Sequence, residues 1–302
     1  MTSKILAQQA NLCFEDFRAM ASSIKETAEL LRARFAGEVV LTGRTLPLLG
    51  SNALDEKFQK CLRRAEQSLL KELDHGHKHT DYRSFLASLS SADRQDIENR
   101  VTVRAWNTAK GPFLEVLCLL ADLARAARRS PSPAAPVPLR LFEPTGPIRV
   151  FEGDQQRFIS VQRTIKGILS GMNACPDIVI TTERKVSAET VVAIRECKCH
   201  RRLAFDEIRK ECGKARDLVV SSYVIVSYYT VSDKNRRGAE GLGLKVEEVG
   251  LDSAEREEYV SGKKNMALDL ARKLENDDEE ALFRSRMEDA GAFAREKEER
   301  GR

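Results

Sequence analysis

Two short clusters of charged residues carry the chemistry in this chain. Pro176-Asp177 opens the apolar run DIVITT, and 19 residues beyond Asp177 the run VVAIRECKC holds Glu196-Cys197-Lys198 among apolar neighbours. Read as strands, their alternation sends Glu196 and Lys198 to one face and Cys197 and Cys199 to the other. If the two strands are neighbours joined through RKVSAE, Asp177 and Glu196 come close enough to share a hard divalent cation. Oxygen donors of this kind suit Mg2+, which keeps several waters that a phosphate and a nucleophile replace. Lys198, two residues past the second carboxylate, then stands beside the attacking water and the scissile phosphate. Those three residue types in that order describe a phosphodiester hydrolysis site.

The elements that must position these residues are legible in the periodicity. DIVITT (Asp177 to Thr182), ETVVAIRECKC (Glu189 to Cys199) and SSYVIVSYYT (Ser221 to Thr230) are rich in Val, Ile and Thr and read as strands. Between the last two, LAFDEIRKECGKARDLV places Ile208, Cys212, Ala215 and Val219 on one helical stripe. Further strands are expected in LRLFE from Leu139, IRVFE from Ile148 and FISVQRTIKGIL from Phe158. Upstream, Phe14 to Phe35, Ala53 to Leu73 and a stretch from about Ser91 to Val103 have helical spacing, and Gly111-Pro112 opens a strongly apolar helix with proline in its first turn. Glu115 is conspicuous in that helix, although a first turn favours a carboxylate through the helix dipole. The order of helix, strands, helix and strand belongs to an α/β or α+β domain with a mixed sheet. The chain divides on this reading into a helical region over 1–105, a core over 106–250 and a charged helical tail over 251–302.

Pro176-Asp177 and Glu196-Cys197-Lys198, with the strand, helix and strand around them, resemble the PD-(D/E)XK nuclease superfamily, the restriction-endonuclease-like fold. The resemblance covers roughly Ala109 to Thr230, and Glu115 resembles the additional acid that many members contribute from their first core helix. It implies a central four-stranded mixed sheet flanked by helices and Mg2+-dependent cleavage of DNA. It further implies that Asp177 and Glu196 ligate the metal, that the backbone carbonyl of Cys197 completes its shell, and that Lys198 orients or activates the water.

The remaining features bound the function. The chain has 302 residues, 42% hydrophobic and 32% charged, which is enough apolar content to bury a core and excludes a disordered chain. No run approaches the length of a membrane span, and the start lacks the apolar block of a signal peptide, so a cytoplasmic protein is expected. Seven scattered cysteines suit reduced thiols. From Asp252 onward 15 acidic and 11 basic side chains leave the first 251 residues at +8, compatible with a polyanionic partner. Arg201, Arg202, Lys210 and Lys214, with Arg236 and Arg237 in a loop read over Lys234 to Arg237, are candidate contacts to DNA phosphates or bases; a solvated helix face is the plainer reading. His75, His77 and His79 alternate in a polar loop, and Cys197, Cys199 and His200 form a CxCH run; solvent and core packing account for these better than zinc does. The expected function is a type II restriction endonuclease acting on double-stranded DNA as a homodimer or homotetramer. An anti-phage or repair nuclease working with a protein partner and a non-catalytic DNA-binding protein are the alternatives.

Overall fold

The computed structural model describes residues 3–34, 53–73, 81–129, 145–152 and 155–273. Four helices come first: α1 (Ser3–Arg34), α2 (Ala53–Leu73), the short α3 (Tyr82–Ala87) and α4 (Ser91–Arg129). There follow β1 (Thr145–Glu152), β2 (Gln155–Val161), β3 (Ile165–Lys166), β4 (Asn173–Ala174), β5 (Ile178–Thr181) and β6 (Val191–Lys198). Then come α5 (Phe205–Asp217), β7 (Ser222–Ser227), α6 (Asp233–Glu240), β8 (Lys245–Glu248) and α7 (Ser253–Val260). A last helical stretch lies over 266–273. No helix among the described residues is long and apolar enough to cross a membrane.

The main sheet is mixed, in the order β1-β2-β5-β6-β7-β8, with β1 to β6 antiparallel to their neighbours and β6, β7 and β8 parallel. It has six strands where the resemblance implies four. The hairpin arm β1 adds to β2 at one edge, and a second crossover through α6 lays β8 beside β7 at the other. β5 is buried along its whole length and β7 nearly so, which explains their unbroken apolar sequence. One face of the sheet packs on α4 through Ile178, Ile180, Val224 and Val226, and the other on α5 through Val179, Ile194, Ile208 and Cys212. The strand expected at LRLFE lies outside the described residues, as do His75, His77 and His79 and the tail beyond residue 273.

Several expectations are corrected here. Gly111-Pro112 does not open a helix: α4 runs unbroken for 39 residues with Pro112 inside it. Proline removes one intrahelical hydrogen bond, but Trp106, Ala109, Phe113 and Leu114 are all buried around it, and their packing holds the helix through the break. A boundary at 105/106 therefore falls within α4. The apolar core joins α1, α2 and α4 to the sheet and also takes in Tyr259, Met266 and Leu270, so a boundary at 250/251 also divides packed residues. Phe17 of α1 stacks on Phe58 of α2 at 4.1 Å and lies 5.5 Å from Phe113 of α4, so the three helices bury much of their apolar surface against one another. Finally, Lys234 to Arg237 sit in α6, capped by Ser232, rather than in a loop.

Candidate active site

The site lies where β2, β5 and β6 meet α4 and α5. The ladder pairs Ile178 with Arg195 and Val179 with Ile194, so one step further Asp177 and Glu196 stand opposite each other on the same face. Asp177 Oδ2 accepts the Cys197 N–H at 2.7 Å, fixing the carboxylate at the end of its strand. From the far side α4 brings Glu115, whose Oε2 accepts from Gln162 Nε2 at 2.7 Å. Gln162 follows β2 in the left-handed conformation, φ 51°, and its own N–H reaches the Asp177 carbonyl at 2.9 Å. Glu115 belongs to the middle of a long helix, so a helix N-terminus does not account for its charge.

These carboxylates disturb one another. Burial, then Glu196, then Glu115 push the Asp177 carboxyl up from 3.8 to about 7, and burial together with Glu196 raises Glu115. Among the described residues no three His, Cys, Asp or Glu side chains are gathered into a ready-made metal cage.

On the α5 side Glu196 meets two ammonium groups. Lys198 Nζ lies 2.9 Å from Glu196 Oε1 and 3.0 Å from Glu211 Oε1; Lys214 Nζ lies 2.9 Å from the same Glu196 oxygen and 2.8 Å from Glu211 Oε2. Tyr223 on β7 donates its hydroxyl to Glu211 Oε2 at 2.6 Å. Burial opposes the charge on Lys198, but Glu196 and Glu211 outweigh it and hold the ammonium charged. Burial likewise works against ionised Glu211, and hydrogen bonds from Lys214 and Tyr223 keep its carboxyl below the usual range. Glu196 Oε2 is buried with no hydrogen-bond partner among the described residues.

Asp177 thus lies within electrostatic reach of Glu196, Glu115 and Lys198. Cys197 turns its thiol toward α4, where Cys118 and burial raise it far out of the thiolate range, so its backbone alone faces the carboxylates. Cys199 is buried with its thiol 3.3 Å from the Lys110 carbonyl, while His200 is exposed and 3.5 Å from Glu207, which takes the CxCH run apart as a ligand set. Lys214 is corrected from a surface contact to a member of the site. Arg236 is tied to Glu248 at 2.6 Å and to the Val246 carbonyl at 3.0 Å, which leaves it poorly placed to reach DNA. Arg201, Arg202, Lys210 and Arg237 are exposed. Gln162, Glu211 and Tyr223 were missed by sequence reasoning. Only Glu211 leaves a signal, a carboxylate on the Ile208, Cys212, Ala215 stripe at helical spacing.

The donors here fit a hard cation. Asp177, Glu196 and Glu115 offer only oxygen, one of those oxygens is orphaned, and with Glu211 the four carboxyl groups outnumber the two lysines by two once all are ionised, a balance that suits one divalent ion. No family model, curated protein or solved structure matches the chain.

Proposed function

We propose that the protein is a Mg2+-dependent endonuclease that hydrolyses phosphodiester bonds in double-stranded DNA, built on a restriction-endonuclease-like core made of α4, β2, β5, β6, α5 and β7. The observation that carries the reading is the Asp177 carboxylate on the Cys197 N–H beside Glu196, with Lys198 on Glu196 and with Glu196 and Glu115 near enough to raise Asp177. Asp177 and Glu196 would hold Mg2+, with Glu115 and the Cys197 carbonyl completing its surroundings. A divalent ion there would polarise the phosphodiester and acidify a water. Lys198, kept protonated by the two carboxylates it rests on, supplies a positive charge that can turn to the phosphate and orient the attacking water; a lysine so firmly protonated is no general base.

Exposed Arg201, Arg202, Lys210 and Arg237 would be candidate contacts to the phosphates. A type II restriction enzyme is the form that best uses a chain this long, and twofold symmetry in a homodimer or homotetramer would give each strand of a duplex its own site. Digestion of unmethylated phage DNA with purified protein and Mg2+ tests this. Discrete bands support the restriction enzyme, a smear points to a non-specific or partner-directed nuclease, and intact DNA points to a binding protein.

A further inference from the structure

The helix α5 carries several basic residues, and Lys214 is unlike the rest. Arg209, Lys210 and Arg216 face solvent, whereas Lys214 turns into the site and shares one oxygen, Glu196 Oε1, with Lys198. A second desolvated ammonium group is stable only when its surroundings are arranged for it. That arrangement is present. Glu211, fully buried one turn earlier on α5, holds Lys214 at 2.8 Å and is itself fixed by the Tyr223 hydroxyl. Two elements therefore contribute buried polar groups whose shared effect is to place one ammonium against a metal-binding carboxylate.

The arrangement has a use if Lys198 must move. To face a phosphate, Lys198 has to leave Glu196 and Glu211, and a buried carboxylate left without a partner is strongly unfavourable. With Lys214 in place both carboxylates keep a counter-ion, and Glu196 stays oriented with Oε2 free. We propose that Lys214 is a positioning residue of the active site that keeps Glu196 in place while Lys198 turns to the substrate, with Glu211 and Tyr223 as its anchor. The duty given to one lysine by the E-x-K spacing is thus divided between β6 and α5. This rests on the nuclease reading, and its test keeps the two apart.

The test compares the full chain with Lys214→Met, which preserves length and bulk without charge, in steady-state cleavage of duplex DNA and in calorimetric titration with Ca2+. At saturating Mg2+, kcat should fall about 100-fold, the order seen when a preorganised charge is removed, with KM for the duplex unchanged. Ca2+ should bind more tightly, because the site gains a further unmatched negative charge. Lys214→Arg should restore part of kcat. A kcat within threefold of wild type, recovery in excess Mg2+, or Ca2+ affinity that is unchanged or weaker would each overturn the proposal. Should Lys214→Met fail to fold, Tyr223→Phe decides: it removes one hydrogen bond from the anchor and should lower kcat about 5-fold or more with little change in melting temperature, and wild-type kcat in that variant counts against the proposal. If the wild-type chain cuts no DNA the nuclease reading fails, and the Ca2+ titration still reports whether Lys214 is coupled to Glu196.

Discussion

Replacing Asp177 by Asn should make the metal-free protein more stable, although it removes a group central to the site. The Asp177 carboxyl ionises at about 7 instead of 3.8 because it is buried beside Glu196 and Glu115. A folded-state value raised above the unfolded one means that its contribution to stability is complete below about pH 4 and is lost as the pH climbs through about 7. At about 1.4 kcal/mol per tenfold change in acidity, the ionised carboxylate costs the metal-free fold at most about 4 kcal/mol at pH 8, part of it shared with its two acidic neighbours. Asparagine carries no charge, and its amide oxygen still accepts the Cys197 N–H. In EDTA at pH 8, Asp177→Asn should therefore be about 2–4 kcal/mol more stable than wild type, raising the melting temperature by about 4–8 °C for a chain of this size. The gap should narrow toward pH 5. Ca2+ should raise the wild-type melting temperature at pH 8 by binding only the folded state, and should do little for the variant. Calorimetric melts at pH 5, 6.5 and 8, with EDTA and then with Ca2+, make the comparison. A variant that melts at or below wild type in EDTA at pH 8, or a wild type that gains stability between pH 5 and 8, would refute the crowded-carboxylate picture.

Other outcomes follow from the same geometry. Lys198→Ala should abolish cleavage while Ca2+ binding persists, since it removes a positive charge and no oxygen donor; cleavage within a few fold of wild type would remove Lys198 from the site. Glu115→Gln should slow cleavage at low Mg2+ and recover partly as Mg2+ rises, whereas a purely structural Glu115 would lower the melting temperature and leave the metal dependence unchanged. Asp16→Ala should lower stability by about 3 kcal/mol without altering Mg2+ dependence, because Asp16 Oδ1 accepts from the buried Tyr228 hydroxyl at 2.8 Å and from Arg256 Nε at 2.7 Å, joining α1 to the end of β7 and to α7. Thermal melts and cleavage rates read both effects.

The parts of this fold that were legible in the sequence are those whose period is enforced by burial on both sides. DIVITT, VVAIRECK and SYVIVS lie in the sheet interior, and the two-residue alternation in the second placed Glu196 and Lys198 against α5 and the thiols against α4. Elements at the sheet edge were harder to read. α6 is polar on nearly every face, so KNRRG looked like loop, and β8 is a four-residue strand with one buried side chain. Val219 falls on the helical stripe by its spacing, but α5 ends at Asp217 and Val219 takes a positive φ of 52° and is exposed. Pro112 disguised α4 because proline normally marks a boundary, and tertiary packing overrode it. In the site, Asp177, Glu196 and Lys198 announce themselves by charge inside apolar strands. Gln162, Lys214 and Tyr223 do so only through contacts between elements distant in the chain, which spacing does not encode.

The most direct measurement is cleavage of a supercoiled plasmid by wild type and by Glu196→Gln, each in Mg2+ and in EDTA, with folding of both confirmed by their melting curves. Glutamine keeps the shape of Glu196 and removes the charge that Lys198 and Lys214 share and that a cation would need. Nicked and linear products from wild type in Mg2+ alone, and none from Glu196→Gln, are expected. Intact plasmid with wild type, cleavage that survives EDTA, or cleavage by Glu196→Gln at the wild-type rate would contradict the assignment of this cluster as a Mg2+-dependent nuclease site.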